Sequence, residues 1–304
     1  MAEQCLLFPG QGAQKVGMGK SLFEVSSSVK ELFQKADNVL GREISKICFD
    51  GPEEELNRTS NAQVALLCSS MASLEIYKQH FDYNPKIFCG LSLGEYSAQV
   101  AAGVLRFEDA LNIVQKRSDL MQEACESTNG GMASIIGLDL NSVKEVCESV
   151  SGYMTVANLN CPGQIVISGD KDALEEATVK AKQAGAKLSV ILKVAGAFHS
   201  KLMKEAAISF KEYIQNFSIN KERLKYVLSN VSGSFYNNDS DWQEMMSAQI
   251  ISPVLFEENL RLAINSGPLE FVEIGTGKTL AGMLKRVDRK IKCLNIDTIE
   301  DVQA

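Results

Sequence analysis

The strongest constraint on the fold is the strand-like run Lys86-Ile87-Phe88-Cys89, which passes directly into Gly90-Leu91-Ser92-Leu93-Gly94 and then into a helical stretch, roughly 95 to 104, rich in Ala and Val. A chain that turns from strand to helix so abruptly crowds its own backbone. Glycine on either side of the serine removes the side chains that would clash there. Helix, strand, sharp turn and helix in succession is the grammar of an α/β sheet. A serine at the apex of Gly-x-Ser-x-Gly is also the pattern of a nucleophile elbow, in which the helix N-terminus offers backbone N–H groups to a developing oxyanion. The plainer alternative is a glycine-bounded turn with an idle serine.

The rest of the chain fits around this element. Cys5-Leu6-Leu7-Phe8 reads as a strand ending at Pro9-Gly10-Gln11-Gly12, with short helical or loop segments to about Ser60 and an amphipathic helical stretch at about 62 to 80. Between about 125 and 195 the pattern changes. Met132 to Leu138, Tyr153 to Asn160, Gln164 to Ser168 and Lys187 to Lys193 read as strands, with helices at 141 to 150 and 171 to 184 and a hairpin turn at Cys161-Pro162-Gly163. The order β-α-β-β-α-β is the ferredoxin-like split motif, inserted in a larger unit. After about 196 come helical segments, a strand-like Tyr226-Val227-Leu228-Ser229, and a strand at Leu269 to Ile274 that leads into Gly275-Thr276-Gly277.

A serine hydroxyl is a weak nucleophile until a base takes its proton, so the elbow requires a histidine elsewhere, and the chain has only two. His80 ends the helical stretch before Phe81-Asp82, where it suits the negative end of the helix. His199, in Ala195-Gly196-Ala197-Phe198-His199-Ser200, follows the last strand of the insert among small residues and is the expected base. Between 92 and 199 no acid stands out as its orienting partner. Arg117 is the second clue. A helix from Glu108 to Cys125 sets it on the apolar stripe of Ala110, Val114 and Met121. An arginine there is either held in an internal ion pair or reserved for a carboxylate, which its planar fork binds in bidentate fashion.

Composition removes several function classes. A formal charge of -7 gives no general affinity for nucleic acid, and no uncharged apolar run approaches the ~20 residues that span a bilayer. The closest of the eight cysteines are fourteen positions apart, so no Cys-x-x-Cys metal or redox spacing exists, and Cys48, Cys68 and Cys89 read as small core residues in a reducing compartment. No charged region followed by an apolar one precedes the first strand, so no leader is read. Gly10-Gln11-Gly12 lacks the third glycine of a dinucleotide fingerprint, because position 15 is Lys. Gly277-Lys278-Thr279 fails as a phosphate-binding loop, because position 272 is Val; Glu273 to Lys278 reads as a strand end and turn.

Phe8-Pro9-Gly10-Gln11-Gly12-Ala13-Gln14, the elbow followed by Glu95-Tyr96, Arg117, Gly196-Ala197-Phe198-His199, and Gln249 before Ser252-Pro253-Val254 together resemble the malonyl-CoA:acyl carrier protein transacylases along nearly the whole chain. Leu91 stands where that family usually has His, as in its plastid-type branch. The resemblance implies an α/β fold: an α/β-hydrolase-like catalytic domain made of residues 1–125 and 196–304, with the ferredoxin-like subdomain at 126–195. It implies ping-pong transfer of malonyl from malonyl-CoA to acyl carrier protein, in fatty acid biosynthesis, by a monomer with no metal, cofactor, nucleic acid or membrane. The compartment would be the cytoplasm if the source is bacterial, or a plastid-type stroma if a leader has been removed.

By the same resemblance Ser92 is the acylated nucleophile, His199 the base and then acid, and Gln249 the residue that orients His199 in place of an acid. The backbone N–H groups of Gln11 and Leu93 form the oxyanion hole, Arg117 clamps the malonyl carboxylate, and Gln63, Asn160 and Phe198 line the pocket. The Phe198 ring leaves little room for an α-methyl branch, which implies malonyl over methylmalonyl by the ~1–3 kcal/mol that such a group is worth. Lys285, Arg286, Arg289 and Lys290 form a basic cluster for an acidic carrier protein, or simply a solvated helix face. The rival readings are a serine thioesterase or esterase, a docking module without chemistry, and a free-standing polyketide acyltransferase.

Overall fold

The computed structural model describes residues 2–303. Its strands are β1 (Glu3–Phe8), β2 (Pro85–Gly90), β3 (Gly130–Ile136), β4 (Met154–Cys161), β5 (Gln164–Asp170), β6 (Leu188–Ile191), β7 (Leu269–Ile274) and β8 (Cys293–Ile296). They form two sheets. The larger is parallel, in the order β2-β1-β7-β8. Parallel strands are covered on both faces, so they read as continuous apolar runs rather than alternating ones. Cys5 to Phe8 and Ile87 to Gly90 accordingly lie buried throughout.

The smaller sheet is antiparallel, in the order β4-β5-β3-β6, and the helices Leu140–Ser149 and Lys171–Gln183 separate its strands in the βαββαβ sequence. Alternation along its strands assigns its two faces. Ala133, Ile135, Ile165 and Ile167 pack in a core with residues of those helices. Met132, Ser134, Gln164 and Val166, of opposite parity, line a cavity shared with the large sheet. Main-chain bonds from Leu159 N–H to Val254 and from Val254 N–H to Ala157, both 2.9 Å, tie β4 to the rest of the chain.

Three expectations change. The helix expected at 62 to 80 runs Thr59–His80 and is not amphipathic: from Ala62 to Leu74 every residue is buried. Its polar positions are small or neutral, and Ser69 shares a hydrogen bond of 2.9 Å with Thr276, so the fold buries a face that periodicity reads as wet. Tyr226 to Ser229 forms no named strand. It makes only single bridges, from Val227 to Phe88 and from Leu228 to Phe235. Finally, β8 was not anticipated; four residues at a sheet edge are too short for a period to register. Among the described residues, no helix is long and apolar enough to cross a membrane.

Gly90 and Gly94 are where the chain reverses against β1. A Cβ on Gly90 would lie 1.9 Å from the Gly94 carbonyl carbon, and one on Gly94 would lie 2.1 Å from the Phe8 oxygen. Both obstacles are backbone and cannot swing aside. Gly94→Ala is therefore expected to destabilise by more than about 3 kcal/mol or to abolish folding. Gly282→Ala, in a helix with open space around the added carbon, should be neutral or stabilising by about 0.5–1 kcal/mol. Denaturant midpoints of the two variants provide the check; equal effects would refute the crowding argument.

Candidate active site

The elbow joins β2 to the helix Gly94–Ala102, and its apex residue Ser92 is forced to φ 52°, a left-handed conformation that few side-chain-bearing residues adopt. Side chains far away in sequence hold that strain. Asn230 Oδ1 accepts from the Ser92 N–H at 2.6 Å while its Nδ2 donates to the Gly90 carbonyl at 2.8 Å. The Leu91 N–H donates to Phe8 at 3.1 Å, which stitches the elbow to the end of β1. The site thus sits at the carboxyl ends of β1 and β2, the side of a parallel sheet where loops converge.

His199 reaches the same point from the other half of the chain. Its φ is 56°, its N–H donates to Ile250 at 3.1 Å, and the Gly196 before it packs so closely that a Cβ there would lie 2.4 Å from Cys125 Sγ. His199 Nε2 lies 2.9 Å from Ser92 Oγ, and Nδ1 lies 2.8 Å from the main-chain oxygen of Gln249. A carbonyl only accepts, so Nδ1 carries the proton and Nε2 presents its lone pair to the serine. Burial, reinforced by the charge of Arg117, pushes the His199 pKa down to about 4, so the imidazole is neutral and able to take a proton. His80 is exposed at the end of its helix and lines a separate groove with Gln4 and Leu269, at the starting ends of the strands.

Arg117 lies on the helix Phe107–Ser127 with Ala110, Val114 and Met121, all buried, and is itself 1% exposed. Among the described residues it forms no ion pair, which removes the internal-pair alternative. Its partners are neutral oxygens. Nη1 donates to Gln63 Oε1, and Nη2 donates to Gln249 Oε1 at 2.9 Å and to Ser92 Oγ at 3.2 Å; Nε has no partner. The Tyr96 ring lies 5.4 Å beneath the guanidinium. A buried cation without a carboxylate beside it is costly, and it is primed to accept one.

A cavity of about 530 Å³ opens over these groups, lined by Gln11, Gln63, Leu93, Asn160, Phe198 and the face of the small sheet. Among the described residues the main-chain N–H groups of Gln11 and Leu93 donate to no protein acceptor, whereas Gly94, Glu95 and Tyr96 bond back into the turn. Asn160 Oδ1 is buried and equally unpartnered. Such an arrangement can move a proton from serine to imidazole, hold an oxyanion and grip an anionic end of the same ligand.

Two features depart from the sequence reading. Gln249 meets His199 through its main-chain oxygen, not through its side chain, which bonds Arg117 instead; no carboxylate touches Nδ1. The basic cluster divides. Arg286 donates to Gln164 Oε1 at 3.2 Å beside the cavity wall, while Lys290 lines the groove of Gln4 and Leu269 at the other end of the strands. Lys285 and Arg289 are exposed. Sequence reasoning also missed Glu95, Asn230 and Tyr236. Only Glu95 left a signal, as a carboxylate directly after the elbow in an otherwise uncharged helix.

Residues 5–298 match the acyl transferase domain family. A malonyl CoA-acyl carrier protein transacylase of Bacillus subtilis is 44% identical over the whole chain and 96% of its own length, and one from Staphylococcus aureus is 41% identical over the whole chain and 98% of its own. Among solved structures, the transacylase of Clostridium perfringens superposes with a TM-score of 0.91 at 37% identity, covering 99% of this chain and 95% of that one. A malonyl-transacylase in complex with a type II PKS acyl-carrier protein reaches 0.94 at 34% identity over 99% and 98%. Likeness of this order from end to end means that the chain belongs to the acyl transferase family, among its malonyl CoA-acyl carrier protein transacylases.

Proposed function

We propose that Ser92 carries the malonyl group as an ester while it passes from malonyl-CoA to the phosphopantetheine thiol of acyl carrier protein, supplying malonyl units for fatty acid synthesis. His199 takes the Ser92 proton as Oγ attacks the thioester carbonyl, and returns it to the leaving sulfur of coenzyme A. The acceptor thiol then gives its proton to His199 and attacks the ester carbonyl, and His199 passes that proton to Ser92 Oγ as the ester bond breaks and Ser92 is released. The Gln11 and Leu93 N–H groups hold the tetrahedral oxyanion in both steps. The division of labour follows the proposed domains: residues 1–125 with 196–304 carry the nucleophile, base and arginine, and 126–195 supplies the wall with Asn160.

The observation that carries this reading is Arg117, buried, free of any carboxylate partner and 3.2 Å from the nucleophile. A hydrolase has no use for it unless its substrate is anionic. The neutral carbonyl on His199 Nδ1 points the same way, since it stabilises imidazolium less than a carboxylate would and so favours a bound thiol over water as acceptor. Phe198, only 5% exposed in the wall, supports a malonyl preference. Intact mass after brief mixing with malonyl-CoA is expected to show one malonyl adduct, absent in Ser92→Ala and reduced at least tenfold in Arg117→Ala. An adduct that survives Ser92→Ala would defeat the assignment.

The depressed pKa of His199, about 4, fixes a sign. The base stays neutral until well into acid, so His199 should give no break in kcat/KM for malonyl-CoA between about pH 8 and about pH 5 and should lower it only below that. An inflection at the ordinary histidine value of about 6.5 that persists in Glu95→Gln, which removes the buried carboxyl titrating at about 7, would contradict it.

Carrier protein is acidic, and Arg286 is the member of the C-terminal basic cluster set beside the cavity wall. Arg286→Glu should raise the carrier-protein KM about five- to tenfold and leave that for malonyl-CoA unchanged. Lys290→Glu should change neither. Equal effects of the two reversals in steady-state assays would speak against docking at the rim.

A further inference from the structure

Glu95 is fully buried, one turn past the nucleophile, and touches neither Ser92 Oγ, His199 nor Arg117 through any hydrogen bond. All of its bonds are nevertheless to groups that shape the site. Oε2 accepts from Gln249 Nε2 at 2.6 Å and from the Asn230 N–H at 3.1 Å; Oε1 accepts from Tyr236 Oη at 2.5 Å. Gln249 is the junction. An amide has an accepting end and a donating end, and nothing intrinsic decides which way round it sits. With Nε2 drawn to Glu95 and to the Ser92 carbonyl at 3.1 Å, Oε1 must face Arg117 Nη2. Turned over, Gln249 would aim its NH2 at the guanidinium, two donors face to face.

We infer that Glu95 is a positioning residue for acyl-group selection: its Oε2 acceptor fixes the side-chain amide of Gln249, which in turn holds the Arg117 guanidinium at the angle that receives the distal carboxylate. The inference rests on the reading of Arg117 as the carboxylate clamp. It also explains why the nearest carboxylate is one residue removed from Arg117. A direct ion pair would spend the charge that the substrate needs; an intervening amide orients the cation without neutralising its face. Tyr236 adds a reserve, because its hydroxyl lies 3.2 Å from Met246 Sδ and can turn there if a donor replaces Oε1.

The test compares acylation of Ser92 by malonyl-CoA with acylation by acetyl-CoA, which has no distal carboxylate, in wild type, Arg117→Ala, Glu95→Met and Glu95→Gln. Glu95→Met keeps volume and removes the acceptor. It should lower the malonyl-to-acetyl ratio of kcat/KM at least tenfold, through loss of malonyl transfer beyond any loss of acetyl transfer. Glu95→Gln can present its carbonyl at the Oε2 position and its NH2 to Tyr236, so it should keep the ratio within about threefold of wild type. A folded Glu95→Met that loses both substrates in equal proportion overturns the inference, as does an unchanged ratio. If that variant does not fold, Glu95→Gln decides: a collapsed ratio in this nearly isosteric variant overturns the inference and a retained one supports it. An Arg117→Ala ratio equal to wild type would instead fell the clamp reading itself.

Discussion

The whole arrangement turns on a cation that the protein buries and does not neutralise. Arg117 is 1% exposed, yet its nitrogens meet only amide and hydroxyl oxygens. Burying a guanidinium this way costs several kcal/mol that a carboxylate neighbour would recover. The fold accepts that cost and surrounds the charge with oriented dipoles and the Tyr96 ring; under the proposed function, an acyl group bringing its own carboxylate completes the pair. On that proposal, selection for the substrate rests on the electrostatics of the site and does not depend on shape alone.

The same burial acts on His199, the proposed base. Desolvation and the neighbouring guanidinium keep His199 neutral, and the main-chain oxygen of Gln249 fixes its tautomer. A neutral acceptor at Nδ1 does less for imidazolium than a carboxylate, which on the proposed mechanism moderates the activation of water. Burial also raises the Glu95 pKa to about 7, against the lowering effect of its donors Tyr236, Gln249 and Asn230. Desolvation therefore works against charge on both the acid and the base, beside a fixed positive charge.

The parts of this design that are local in sequence could be read from it. Gly90 to Gly94 imposes its turn on any chain, and β-branched clustering in 126–195 announces a sheet whose order the topology then realises. Arg117 could be picked out because an arginine on an apolar stripe is itself an anomaly. What stayed hidden depends on contacts across the fold. Asn230 clamps the elbow from 138 residues away, and nothing around it marks it as special. Gln249 could be named by resemblance, but only geometry separates the task of its main chain from that of its side chain. The Thr59–His80 helix misled because serines, polar on any scale, are small enough to be buried there, Ser69 with a partner in Thr276 and Ser70 and Ser73 with none.

A crystal structure of the chain acylated by malonyl-CoA tests the central claim most directly. The account predicts an ester on Ser92 whose distal carboxylate binds Arg117 in bidentate fashion, with the ester carbonyl oxygen directed at the N–H groups of Gln11 and Leu93. A malonyl carboxylate turned toward solvent or the cavity rim, with Arg117 still bonded only to Gln63, Gln249 and Ser92, would contradict it.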